Sequence, residues 1–127
     1  MIQEYARTTN LPYEETISML KDRLMEEKFG VLIAIDLPQK FKEKGLEATE
    51  KFTILEVCNP FEAFKAVGFD PRVVYFLPCK LIVREKDSVG VIEMIRPSGM
   101  IAELHNTSLD EFASDIEQTL IRVIEKV

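Results

Sequence analysis

Phe52-Thr53-Ile54-Leu55-Glu56-Val57-Cys58-Asn59-Pro60-Phe61-Glu62-Ala63-Phe64-Lys65-Ala66-Val67-Gly68 passes from one periodicity to another within two residues. Its first part is apolar and β-branched, which fits a strand over Phe52 to Val57. Asn59 then offers a side-chain oxygen for an N-cap. Pro60 lacks the N–H that a first helical residue leaves unused, and Glu62 stands three residues after Asn59 as in a capping box. The spacing predicts a helix over Pro60 to Val67, with Gly68 as its left-handed stop. A strand that feeds directly into a short helix, rather than into a second strand or a long crossover, points to an α+β domain.

The same signals recur on both sides. Upstream, Glu4 to Thr8 reads as a short first strand, and Thr8-Thr9-Asn10 supplies capping oxygens for a helix in which Tyr13, Ile17, Leu20 and Leu24 recur at helical spacing until Phe29-Gly30. Val31-Leu32-Ile33-Ala34-Ile35 is too short and too β-branched for another helix. Its lack of alternation predicts a central strand covered on both faces. Asp36 then stands either as a carboxylate at the strand mouth or as a cap answered by Gln39.

Downstream, Asp70-Pro71 opens a helical turn closed by Pro78. Leu81 to Glu85 and Val89 to Ile95 flank the polar turn Lys86-Asp87-Ser88 as a hairpin. Arg96-Pro97-Ser98-Gly99 breaks that hairpin, and Met100 to Leu104 follows as an irregular or short helical link. The last helix is capped by Thr107 or Ser108. Its stripe of Leu109, Phe112, Ile116, Leu120, Val123 and Val127 is wide enough to be buried under the sheet or against a second subunit.

A chain of 127 residues is one domain, 1–127, on size grounds and long enough for a substantial core. Its 22 acidic and 16 basic residues give a net charge of −6, with no concentrated Lys/Arg footprint for phosphates, so nucleic acid is not an expected partner. No apolar stretch is long enough for a membrane helix, and the start carries no apolar signal region; the expected location is the cytoplasm, with both cysteines reduced. A Gly-rich phosphate loop, a Gly-x-Ser-x-Gly elbow and a His-Glu-x-x-His helix are all absent, and no cofactor is expected. His105, the single histidine, reads as a loop residue just ahead of the last cap rather than as a base.

Cys58 and Cys79 are the two cysteines, each beside a proline-punctuated apolar segment. Just outside a helix N-terminus, Cys58 has two readings. It is a thiol whose pKa the helix dipole lowers, or a small apolar plug packed at the helix entry. If the strand ending at Cys58 and the strand starting near Cys79 are antiparallel neighbours, one end of the sheet carries both thiols. Two sulfurs fall short of the ligands a structural zinc takes, so no metal is expected. Cys58, Asn59, Cys79 and Asp36 are therefore the candidate pocket or thiol residues.

Phe29-Gly30-Val31-Leu32 with Ile35-Asp36, Ile54-Leu55 with Cys58-Asn59-Pro60 and Ala63, and Asp70-Pro71 with Leu77-Pro78-Cys79 and Val83 resemble, in order and spacing, the motifs of the family catalogued as domain of unknown function 302. The resemblance implies an α+β fold similar to the TATA-binding-protein-like topology, β-α-β-β-β-β-α with a twisted, mostly antiparallel sheet, in small bacterial and archaeal proteins that commonly pair as dimers. It carries no catalytic assignment. Two function classes follow. One is a non-catalytic homodimeric module binding a small apolar ligand or a protein partner. The other is a thiol-dependent redox or metal-handling protein using Cys58 and Cys79. With no acid–base constellation in the sequence, the first is preferred and an enzyme is the less expected outcome.

Overall fold

In the computed structural model, residues 2–127 are described. Five strands, β1 (Glu4–Thr8), β2 (Gly30–Ile35), β3 (Phe52–Cys58), β4 (Cys79–Lys86) and β5 (Val89–Ile95), form one sheet in the order β1-β5-β4-β3-β2, every pairing antiparallel. The α-helices are α1 (Tyr13–Glu26), α2 (Leu37–Glu43), α3 (Pro60–Phe69), α4 (Pro97–Ile101) and α5 (Asp110–Glu125), and 3-10 turns span 71–76, 102–104 and 107–109. This is the expected α+β architecture.

Alternation along the strands divides the sheet into two unlike faces. Leu55, Val57, Leu81, Val83, Ile92 and Met94 face α1 and α5 and form one core with Leu20, Leu24, Phe112, Ile116, Leu120 and Ile124. Each fully buried aliphatic side chain there contributes about 1.5–3 kcal/mol relative to exposure. The wide stripe of α5 is thus buried within the subunit, and Arg7 of β1 donates to the carbonyl of Glu125 at the end of α5. The opposite face, bearing Lys80, Ile82, Arg84, Glu93 and Ile95, lies away from α1 and α5.

Four local expectations are corrected. Val31–Ile35 belongs to an edge strand, not a central one: β2 pairs with β3 alone, its register slips between Val31 and Ile33, and Leu32 and Ile33 are exposed. The bulge, rather than two-sided burial, breaks the alternation. Thr9 does not cap α1. Its hydroxyl donates to the Gly90 carbonyl at 2.7 Å and meets the Thr16 hydroxyl at 3.1 Å, so the helix starts after Pro12, and Lys28 rather than Gly30 takes the left-handed conformation after its end. Gly68 lies inside α3, which continues to Phe69 because Asp70 turns the chain into the next 3-10 turn. Asn106, not Thr107 or Ser108, accepts the capping bond, from Ser108 N at 2.9 Å, and a 3-10 turn precedes α5.

Candidate functional site

Val57 stands opposite Cys79 in the β3–β4 ladder, so Cys58 and Cys79 sit at the same end of the sheet, one register step apart. Alternation sends them to opposite faces: Cys79 points with Val57 into the core, Cys58 away from it. Both thiols are free. Burial pushes the Cys79 thiol up to about 12, with smaller contributions from Cys58 and Glu56. Burial also raises the half-buried Cys58. Of the two readings of Cys58, a raised thiol agrees with the small apolar plug at the helix entry. Beside it, Asn59 Oδ1 accepts from the first amides of α3, Phe61 N at 3.1 Å and Glu62 N at 3.3 Å.

Asp36 is the N-cap of α2, accepting from Gln39 N at 3.1 Å. It follows Ile35, which pairs with Ile54, whereas Cys58 pairs with Gly30 at the other end of the same ladder. The four sequence candidates therefore divide: Cys58, Asn59 and Cys79 share one end of the sheet and Asp36 occupies the other. His105 is exposed in a left-handed conformation, φ 52°.

A different surface has the geometry of a binding site. On the open face β1, β5 and β4 line a cavity of about 290 Å³. Ala6, Ile82 and Ile95 of the strands and Met100 of α4 are among its apolar lining. Polar groups at the margin are mostly paired: Arg84 Nε donates to Glu93 Oε1 at 2.8 Å, and Lys80 forms an ion pair with Glu56. Arg84 also lies over the Phe52 ring, 5.3 Å from its centroid. At the start of α4, Glu117 of α5 accepts from Ser98 N at 3.1 Å and from Ser98 Oγ at 2.7 Å. A second hollow of about 360 Å³, between the end of α1, α3 and α5, is lined by Glu27, Glu62, Asp115 and Arg122 and is polar by comparison. Among the described residues no group of three or more His, Cys, Asp or Glu side chains is disposed to hold a metal ion, and no helix is long and apolar enough to cross a membrane.

The sequence reasoning missed the open-face cavity. Its signal was present in the alternation Lys80, Ile82, Arg84 and Glu93, Ile95, where apolar residues sit between charges on the face not needed for the core.

The family model described as "Domain of unknown function DUF302" matches residues 5–127. The chain is similar to the crystal structure of an uncharacterized conserved DUF302 protein from Bacillus stearothermophilus, with 36% identity and a TM-score of 0.92 over 96% of this chain and 95% of that one. No curated protein matches.

Proposed function

This chain belongs to the DUF302 family, and on that premise we propose that it is a non-catalytic binding module, paired as two identical chains, that takes a small apolar ligand on the open face of its sheet. The carrying observation is the cavity itself. Its apolar lining, Ala6, Ile82 and Ile95 among it, supplies the driving force, and the lining charges Arg84 and Glu93 neutralise each other, which favours an uncharged or singly polar molecule over a polyanion. The raised pKa of both thiols supports a packing role for Cys58 and Cys79, since the thiolate is the nucleophile and the metal ligand. The reducing compartment expected from the sequence belongs to the same reading.

Decanoate, an apolar chain with one polar end, is a suitable probe. Titrated into the ¹⁵N-labelled protein, it is expected to shift the amides of Ala6, Ile82, Ile95 and Met100, and Ile82→Glu should abolish those shifts while the rest of the spectrum stays dispersed. Shifts confined to other residues, or none at millimolar probe, would overturn the assignment.

A further inference from the structure

Helix α3 is inside out for a lone subunit. Its buried residue is Ala66, whereas Phe61 and Phe64 are 71% and 82% exposed. At 100° per residue Phe61, Phe64, Lys65 and Gly68 share the face opposite Ala66. Phe69 and, from the 3-10 turn at 71–76, Val74 and Tyr75 extend the exposed apolar surface. A surface helix ordinarily turns its large apolar residues inward and its small or polar ones outward.

We infer that this face of α3, with the adjoining 71–76 turn, is where a second copy of the chain docks, the two α3 helices packing antiparallel about a twofold axis between Phe64 and Lys65. The inference rests on the pairing of identical chains proposed above and names the surface that makes it. Two observations select a second copy as the occupant. The first is area. From their exposed fractions, Phe61, Phe64, Phe69, Tyr75 and Val74 together present on the order of 600 Å² of mostly apolar surface on α3 and the turn that follows it. Two such surfaces, fully covered, would bury roughly 1,200 Å², where specific interfaces begin.

The second is self-complementarity. An axis between Phe64 and Lys65 sets Phe61 of one copy against Gly68 of the other, and Phe64 against Lys65. A Cβ built on Gly68 meets nothing within 4 Å in the isolated chain, so the subunit itself gives no steric reason for glycine there, although glycine inside a helix costs stability relative to alanine. A partner's Phe61 seated over that position supplies the reason. Lys65 then lies along the facing Phe64 ring, where its stem packs and its ammonium meets the π face.

The test is the mass of the full chain by light scattering at tens of micromolar, with circular dichroism as the check on folding. Wild type is expected to be a dimer. Phe64→Glu is expected to have half that mass and an unchanged spectrum, because Phe64 makes little contact within its own subunit. Gly68→Ala is expected to raise monomer stability yet weaken the dimer at least tenfold, a combination that a purely intrasubunit role for Gly68 would not give. A monomeric wild type overturns both the pairing and its surface. A dimeric wild type whose Phe64→Glu and Gly68→Ala variants dimerise undiminished overturns the surface and leaves the pairing standing.

Discussion

Asn59 and Asp70 both turn the chain into helical structure, yet their energetics differ. Asn59 is neutral and its contribution is the satisfaction of two amides at the start of α3. Asn59→Ala is therefore expected to cost about 1 kcal/mol and Asn59→Gly a few tenths in urea melts; equal, negligible losses would show that the cap does not hold the helix. Asp70 is buried and charged. It accepts from Arg72 N and Nε at 3.0 Å and from Arg72 Nη2 at 2.7 Å, with Asn106 Nδ2 at 3.2 Å, and Arg72 reaches on to the Leu104 carbonyl. The Arg72 side-chain bonds, then its backbone amide, hold the Asp70 carboxyl well below its ordinary value of 3.8. A depressed folded pKa contributes stability that is present above that ordinary value and lost as pH falls below it. Asp70→Asn should lower stability at neutral pH and flatten the acid limb of the stability profile. An acid limb unchanged in slope would mean that Asp70 is not the group protonated there. The two caps were legible in sequence because a cap needs only neighbours a few residues away. The clamp to Asn106 and Leu104, and the thiol shifts of Cys58 and Cys79, depend on what folding brings from afar.

Elements were legible where periodicity and caps agreed, and misread where a tertiary contact took over. The apolar run of β2 looked like a buried central strand because a bulge mimics two-sided burial. In the fold the β4–β5 hairpin takes the centre and β2 is left at the edge. The start of α1 was misread for a similar reason, because Thr9 and Thr16 are occupied in docking the helix onto β5. That docking explains Gly90. A Cβ there would lie 2.2 Å from Thr16 Oγ1 and 2.5 Å from Thr16 Cβ, inside any tolerable contact. Since Thr16 is buried and its hydroxyl donates to the Pro12 carbonyl at 2.9 Å, it has no room to retreat. Gly90→Ala is expected to push α1 off the sheet and cost about 1–3 kcal/mol. A loss within experimental error in thermal melts would show that α1 is not held at this distance.

At the scale of the molecule, the sheet separates two surfaces that the proposals use differently. None of the residues lining the open-face cavity belongs to α3, and none of the exposed aromatic residues of α3 lines that cavity. If both surfaces act as argued, they add to stability through separate equilibria. A dimer that holds its subunits folded melts at a temperature that rises with protein concentration, whereas a ligand adds RT ln(1 + [L]/Kd), about 2.7 kcal/mol at a hundredfold excess, whatever the association state. Wild type is expected to show both effects. Phe64→Glu should lose the concentration dependence and keep the increment from decanoate, and Ile82→Glu should do the reverse. Joint loss of both effects in Phe64→Glu, with its spectrum intact, would show that the cavity closes only when two chains meet, and the two surfaces would then have to be treated as one site shared across the dimer.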